Sequence, residues 1–410
     1  MGGQSVVELR CKCKTDPWGK KGEDSLAAIL ASQQPGTDFK IDPNQRYSEM
    51  WMGTYPSVPS FVIGTDETLE DYLNKNPNLV GKKIVDKFGG GLPFLPKILS
   101  MDKALPLQIH PDRKLAEQLH KQLPQKFTDT NHKPEIAIAL SQFELFAGWK
   151  PLNDLTQLFH NGPLQKFLPI PESHFNDETL RRIGQNMLEA DENTVAATIN
   201  QLIKTPESAF GKKYSYIPKM LERVSAQYSE FDNGTLFAVV CMNYLILHHG
   251  EAVYVPADGM HAYLSGNIME CMARSDNVLN TGFCPRPDRD SVALFCEAFT
   301  GWPHDPDEAR LGKHASNRGL NGKTVEYAPP ISEFNVLATH LKAGEKEQMG
   351  PIEGPSIICV TGGEGRMTAK ASEGKTYNLK QGSVFFVAYC VELEFEATGD
   401  KLDIYRPYAD

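Results

Sequence analysis

Polar side chains with metal-binding chemistry lie on strand-like segments of this sequence. Gln108 and His110 lie two residues apart in an apolar run, and Glu135 opens a second apolar run. Because side chains alternate between the two faces of a strand, Gln108 and His110 should point to one face. Amide, imidazole and carboxylate donors suit a borderline divalent cation such as Zn²⁺. His261, much further along the chain, is a candidate fourth ligand.

A purely structural interpretation fits the same residues. Polar side chains inside a β core must each find a hydrogen-bond partner when they are buried. A single Gln-x-His pair is more often such a hydrogen-bonded pair than a metal site. The residue types alone therefore leave both interpretations open.

Length and composition describe an ordinary globular protein of more than one domain. The chain has 410 residues, of which 40% are hydrophobic and 23% are charged, so it should divide into two or three domains. Its net charge of −10 gives no indication of nucleic-acid or membrane binding. Eight scattered cysteines do not resemble a disulfide framework. The N-terminus lacks the apolar core of a signal peptide, and we expect a cytoplasmic protein.

The elements that must position these residues change in character along the chain. Residues 6–100 indicate short strands and turns, and Asp112 should cap a helix that runs to His120. Between 151 and 235, apolar residues recur at helical spacing, as in 177–190 and 194–204. We interpret this block as a helical insertion. From Phe237 onward the chain is again β-like, and short strands between glycine turns continue after Pro329.

Longer motifs resemble a known family, the type I phosphomannose isomerases, and particularly its fungal members. The resemblance covers nearly the whole chain, and the order and spacing of the motifs make it specific. Among them are Trp18-Gly19-Lys20, Glu49-Met50-Trp51-Met52-Gly53, Gln108-Ile109-His110-Pro111, Asn131-His132-Lys133-Pro134-Glu135, His261-Ala262-Tyr263-Leu264-Ser265-Gly266 and Pro329-Pro330-Ile331-Ser332-Glu333-Phe334.

The resemblance implies a mainly β fold with two cupin-like jelly rolls and an α-helical domain. The expected division is a first part of the metal-bearing jelly roll at 1–150, a helical insertion at 151–235, a second part at 236–328 and a C-terminal jelly roll at 329–410. It also implies one Zn²⁺ per chain, held by the residues that match the family's ligand positions: Gln108, His110, Glu135 and His261. The match at each of these four positions favours the metal site over the structural interpretation.

The family interconverts mannose 6-phosphate and fructose 6-phosphate through an enediol. One group must move a proton between C2 and C1, and another must shuttle the hydroxyl proton. The candidates for this work are Lys133, His132, Glu270 and Asp276. A lysine can serve as a base only where burial or neighbouring cations lower its pKa, so Lys133 could equally be a solvated lysine and Glu270 a residue that orients a ligand.

The departures from the family pattern cluster at the expected phosphate site. Asn280 stands where the family has an active-site arginine, Pro106 where it has a serine, and Arg286 where it has a lysine. Losing one charged hydrogen bond costs ~1.5–3 kcal/mol, which is on the order of tenfold to more than a hundredfold in binding. Lys97, Arg286 and Arg274 remain as candidates to bind the phosphate.

Three interpretations of function follow, in order of preference. The first is an active mannose-6-phosphate isomerase, with activity that the departures could reduce. The second is a zinc isomerase with a changed substrate, such as an unphosphorylated sugar, and the third is a catalytically weakened paralogue that acts as a binding or regulatory protein. The resemblance further implies a cytoplasmic monomer that takes a small sugar phosphate, contacts neither nucleic acid nor membrane, and supplies GDP-mannose biosynthesis.

Overall fold

The structure is a computed structural model that describes residues 3–160, 162–169, 175–299, 303–370 and 374–410. The strands in chain order are β1 (Val6–Arg10), β2 (Lys20–Lys21), β3 (Arg46–Tyr47), β4 (Glu49–Trp51), β5 (Phe61–Val62), β6 (Phe94–Met101), β7 (Leu107–Ile109), β8 (Glu135–Ala139), β9 (Phe143–Trp149), β10 (Met242–Leu247), β11 (Ala252–Val255), β12 (His261–Ala273), β13 (Leu279–Gly282), β14 (Arg310–Leu311), β15 (Lys313–Ala315), β16 (Thr324–Tyr327), β17 (Asn335–Lys342), β18 (Lys346–Met349), β19 (Ser356–Ala369), β20 (Lys375–Lys380), β21 (Val384–Val387) and β22 (Leu393–Tyr408).

The helices lie mostly between β9 and β10. In chain order they are α1 (Leu26–Ser32), α2 (Leu69–Lys75), α3 (Lys82–Phe88), α4 (Arg113–Gln122), α5 (Leu152–Phe159), α6 (Asp177–Leu188), α7 (Glu192–Lys204), α8 (Gly211–Tyr214), α9 (Ile217–Ser225), α10 (Asn233–Cys241) and α11 (Val292–Ala298). None of the helices in the described ranges has the length and hydrophobicity that a transmembrane span requires.

Within the described residues, the strands form two ten-stranded sheets and one two-stranded sheet. The first sheet runs β10-β9-β12-β8-β11-β14, with β6 and β7 also paired to β12, β4 paired to β6 and β13 paired to β7. The second sheet runs β15-β16-β17-β22-β19-β21-β1-β5, with β18 and β20 paired to β22 and β19. Two large β units and a helical insertion confirm the predicted mainly β fold class.

Strand β1 joins the second sheet, although it comes from the beginning of the chain. Val6 pairs with Val387 and Glu8 pairs with Phe385 of β21. The predicted domain boundaries stay a prediction, but this pairing shows that the segment 1–150 contributes strands to both sheets.

Helices α6 and α7 confirm the helical pattern that the sequence shows in this region. Each of these helices is capped by the side chain of the residue just before it, which accepts a hydrogen bond from the backbone N–H three residues later. The capping residues are Asn176 for α6 and Asp191 for α7. Asp112 caps α4 in the same way, because its carboxylate accepts from the backbone N–H of Leu115 at 2.7 Å. The apolar faces of α6 and α7 belong to one buried cluster that also contains Trp149 and Phe237.

The prediction of β structure from Phe237 onward is wrong for its first residues. Helix α10 continues to Cys241, and the strand begins only at Met242. All nine residues of α10 are buried. A helix that is buried on every side has no polar face, so its apolar run carries no helical period in the sequence.

Candidate metal centre

Strand β12 positions most of the site, because it pairs with β7 and β8, the strands at the positions of the other predicted ligands. Its first residue, His261, pairs with Gln108 of β7, and Met272 near its end pairs with Glu135 of β8. The register shifts between Tyr263 and Ser265. Gly266 follows with a φ of +125°, and a Cβ there would lie 2.5 Å from the Gln142 carbonyl oxygen. Only glycine fits this bend without strain.

Three of the four predicted ligands come together in the buried interior. The Nε2 atom of His110 lies 3.3 Å from Oε1 of Glu135, and Nε2 of His261 lies 3.4 Å from Oε2 of the same carboxylate. One ligand atom from each residue lies within 4.8 Å of the others. Gln108, the fourth predicted ligand, is half-buried and lies directly opposite His261 in the ladder.

Backbone carbonyls orient both imidazole rings toward the carboxylate. Nδ1 of His110 donates to the Asn277 carbonyl oxygen at 2.8 Å, and Nδ1 of His261 donates to the Gly259 carbonyl oxygen at 3.0 Å. In a neutral ring that donates from Nδ1, the lone pair lies on Nε2. Burial, and then the charge of Lys133, lowers the pKa of His110 to about 4. A neutral, fixed imidazole is the state that binds a metal ion.

The two Nε2 atoms give a direct test of whether a metal ion fits. Both are buried, and neither has a hydrogen-bond partner among the described residues. Leaving a buried polar atom unpaired costs ~1–3 kcal/mol, and a cation between two imidazoles and a carboxylate would satisfy all three groups at once. The donor set and its geometry therefore fit a zinc ion.

A second buried charge cluster adjoins this triad. Nζ of Lys97 lies 3.2 Å from Oε2 of Glu270 and 3.7 Å from Oε2 of Glu49, and it lies 4.6 Å from the Trp51 ring centroid. Burial raises the pKa of Glu270, against the opposing charge of Lys97 and with the support of the Glu135 charge. Because its pKa is raised, Glu270 can carry a proton closer to neutrality than an ordinary glutamate.

Two buried partners of the site were missed by the sequence reasoning. Burial disfavours the charged form of Glu49, but Lys97 and Lys14 outweigh it and lower its pKa. Tyr263 donates its hydroxyl to Oε2 of Glu135 at 3.3 Å. The period of two could have identified Tyr263, since it lies two residues after His261 on the same strand.

The remaining candidates for proton transfer lie in different surroundings. Lys133 is buried, with Nζ 3.5 Å from Oε1 of Glu135. His132 turns to another partner, and its Nε2 lies 2.6 Å from Oε1 of Glu333. Asp276 is exposed. The structure thus brings Lys133 and Glu270 to the triad, and it directs the ring of His132 toward Glu333.

The positions that depart from the family pattern share one cavity of about 660 Å³. Pro106, Asn280 and Arg286 all line it. Asn280 lies opposite Gln108 in the β7–β13 ladder, so the cavity begins next to a predicted metal ligand. Arg274 is not among the cavity's described lining residues; its guanidinium lies 2.9 Å from Oε1 of Glu70.

Comparisons with known proteins place this chain in a family. A family model described as phosphomannose isomerase type I, catalytic domain, matches residues 6–152, and the C-terminal model of the same family matches residues 325–371. The mannose-6-phosphate isomerase of Schizosaccharomyces pombe is 33% identical over 99% of this chain and 100% of its own. The chain belongs to the type I phosphomannose isomerases.

Other relatives also match this chain along nearly its whole length. The mannose-6-phosphate isomerase of Saccharomyces cerevisiae is 34% identical over 96% of each chain, and mannose-6-phosphate isomerase 2 of Arabidopsis thaliana is 34% identical over 99% of this chain and 94% of its own. A crystal structure of the Salmonella typhimurium enzyme bound to substrate (fructose 6-phosphate) and zinc is 22% identical, with a TM-score of 0.80 and coverage of 99% and 100%. At that identity, the structural likeness shows the fold.

Proposed function

We propose that this protein is a zinc-dependent mannose-6-phosphate isomerase, which interconverts mannose 6-phosphate and fructose 6-phosphate. The observation that carries the proposal is the buried triad of His110, Glu135 and His261, with two unpartnered imidazole nitrogens facing one carboxylate. The relatives named above, which match along nearly the whole chain, share this activity in their names. They support the first interpretation of the sequence rather than a changed substrate or a binding paralogue.

The zinc ion would be held by His110, Glu135 and His261, with Gln108 as the fourth ligand. Bound zinc would polarise the sugar oxygens and stabilise the negative charge that develops when the carbon-bound proton leaves. The neighbouring hydroxyl of Tyr263 holds one oxygen of Glu135. That contact fixes the carboxylate in the orientation in which it faces both rings.

We assign proton transfer to Lys133 and Glu270, the two candidates that are buried beside the triad. Aldose–ketose isomerisation requires a group that takes the proton from C2 and returns it to C1, and a second group that moves the hydroxyl proton. Glu270, whose pKa is raised by burial, suits the hydroxyl proton. Lys133 is the remaining candidate that is buried beside the triad, and we assign the proton on carbon to it. Lys97 then balances the charges of Glu49 and Glu270 rather than that of the phosphate.

We place the sugar phosphate in the cavity that Pro106, Asn280 and Arg286 line. Of the three candidate cations, Arg286 lines this cavity; its side chain is 57% exposed, and its Nη2 lies 2.7 Å from Oε1 of Glu192. An exposed pair of this kind contributes little to stability, so the arginine can exchange Glu192 for a phosphate oxygen. Arg274, which pairs with Glu70, is the weaker candidate.

A coupled assay on the purified, zinc-analysed protein tests the proposed function. Mannose 6-phosphate is the substrate, free mannose is the control substrate, and fructose 6-phosphate is removed by coupling enzymes that reduce NADP⁺. Turnover of the phosphorylated sugar alone supports the proposal. Stoichiometric zinc without turnover of mannose 6-phosphate refutes it.

The variant Asn280→Arg tests the placement of the phosphate. An added guanidinium that reaches the phosphate should lower KM by about tenfold or more. Asn44→Arg makes the same charge change at an exposed position and should leave KM unchanged. Equal KM values for both variants would contradict the assignment of this cavity to the phosphate.

We further propose that the enzyme works in the cytoplasm as a monomer and binds no nucleic acid. All eight cysteines are free thiols, which suits a reducing compartment. The acidic net charge of −10 disfavours binding to nucleic acid. Sedimentation of the purified protein at several concentrations tests the monomer, because a stable dimer would sediment at twice the expected mass.

A further inference from the structure

A residue from the connection between two strands of the second sheet, β16 and β17, contacts the loop that carries Lys133. Glu333 lies in the segment between β16 and β17, and it is only 4% exposed. Its Oε1 accepts a hydrogen bond from Nε2 of His132 at 2.6 Å. Its Oε2 accepts from the backbone N–H of Ser332 at 3.0 Å, so the carboxylate is held in place by its own segment.

The segment that follows β12 also holds the loop at 128–134, through hydrogen bonds. The Asp129 carboxylate accepts from the Ser275 hydroxyl at 2.9 Å and from the Asp276 backbone N–H at 3.1 Å. The side chain of Asn277 donates to the Asn131 carbonyl oxygen at 3.0 Å. The carbonyl oxygen of Asn277 in turn accepts a hydrogen bond from Nδ1 of His110, so these hydrogen bonds connect the loop with the metal centre.

Glu333 provides a second support for the loop at 128–134, through His132. His132 immediately precedes Lys133 and stands three residues before Glu135. A hydrogen bond to an ionised carboxylate is about twice as strong as a neutral one, and this one is largely shielded from water. Arg113 adds a second contact, with Nη2 3.4 Å from the same oxygen.

We propose that Glu333 is a positioning residue of the isomerase, which acts through His132 to hold the 128–134 loop and thereby Lys133 against the metal centre. This inference rests on the proposed function. It gives the second sheet a part in the reaction, although neither Glu333 nor His132 is among the described residues that line the 660 Å³ cavity. Loss of Glu333 should therefore lower kcat and leave KM nearly unchanged.

Steady-state kinetics of Glu333→Ala on the zinc-loaded, full-length protein test this expectation. A displacement of about 1 Å at a reacting group costs on the order of a hundredfold in rate, so we expect kcat to fall ~10–100-fold. Glu333→Gln keeps an oxygen that accepts from a neutral imidazole, and it should recover kcat to within a few-fold of the unmodified enzyme. A general loss of folding would lower the zinc content and the active fraction of both variants together.

Two further variants separate positioning from a local structural effect. In a His132→Ala background, Glu333→Ala should lower kcat no further, because the two residues act as one unit. Glu353→Ala is the matched control. It also removes a glutamate that pairs with a residue from the first part of the chain, Lys83 at 3.2 Å, but both side chains of that pair are exposed. Its kcat should equal that of the unmodified enzyme.

Amide hydrogen exchange gives a readout that does not depend on activity. The backbone amides of residues 128–133 should exchange faster in Glu333→Ala than in the unmodified protein and in Glu353→Ala. Unchanged exchange in this loop overturns the inference, as does an unchanged kcat in Glu333→Ala when the unmodified protein is active. If the unmodified protein does not turn over mannose 6-phosphate, the proposed function fails, and the exchange comparison still decides whether Glu333 holds the loop.

Discussion

Replacing Lys97 by Met should destabilise the folded enzyme strongly, and more so at higher pH. The ammonium lies 3.2 Å from one buried carboxylate and 3.7 Å from another, those of Glu270 and Glu49. At an effective dielectric constant of about 20, each contact is worth roughly 4–5 kcal/mol before desolvation is subtracted. Removing one partner of a buried ion pair costs ~3–5 kcal/mol in practice, and we expect a loss in that range near pH 8.

The pH dependence follows from the pKa of Glu270. It is already raised above the usual value by burial, although Lys97 opposes this; without Lys97 it should rise further. A carboxyl with a raised pKa in the folded state contributes stability that is present at low pH and lost as pH rises through that pKa. The difference between Lys97→Met and the unmodified protein should therefore be smaller at pH 5 than at pH 8.

Urea unfolding at constant, saturating zinc measures both effects, because bound metal otherwise shifts the stability by mass action. Lys82→Met is the matched control: this lysine also lies in an ion pair, with Asp86, but it is 85% exposed, so it should cost less than about 1 kcal/mol. The double variant Lys97→Met/Glu270→Gln should regain part of the loss. A cost for Lys97→Met below about 1 kcal/mol, or an equal cost at both pH values, would refute this reasoning.

Three further predictions follow from individual contacts. His261→Ala should lower bound zinc from about one per chain to well below it while the far-ultraviolet circular dichroism stays unchanged; full zinc occupancy would contradict the ligand assignment. Asp232→Ala should lower the free energy of unfolding in urea by ~2–4 kcal/mol, because this buried carboxylate both caps α10 and pairs with Arg289 at 2.7 Å; a loss under ~1 kcal/mol would contradict it. Arg286→Met should raise KM for mannose 6-phosphate by about tenfold or more with little effect on stability, since the pair with Glu192 is exposed; an unchanged KM would remove Arg286 from the phosphate site.

Local patterns in the sequence predicted local structure well. The 3.6-residue period of α6 and α7 and the cap at Asp112 depend on neighbours within a few residues, and the structure confirms them. The family resemblance added the positions of distant ligands such as His261, which no local period could connect with Gln108. The family itself is confirmed along nearly the full chain.

Other features depend on contacts that no local pattern contains. His132 and Glu333 are 201 residues apart in sequence, and nothing in either segment reveals that one side chain turns toward the other. Glu49 stands in a motif of the resemblance, yet its charge matters only because β4 lies beside β6 and Lys97. The apolar sequence of α10 misled the prediction because its surroundings are apolar on every side.

The pairing of β1 with β21 has a consequence for how the protein is made. Strand β1 pairs with β5 on one side, but its partner on the other side, β21, lies far downstream in the chain and is synthesised much later. Until then, the edge of β1 that will pair with β21 has unpaired backbone groups, and Val6 and Val7, which are buried on opposite faces of the strand, lack their cover. Such exposed edges favour aggregation during slow folding. The second sheet can close only after β21 and β22 are synthesised, so removal of residues 381–410 would leave β1 without β21 and would leave β19 without both strands.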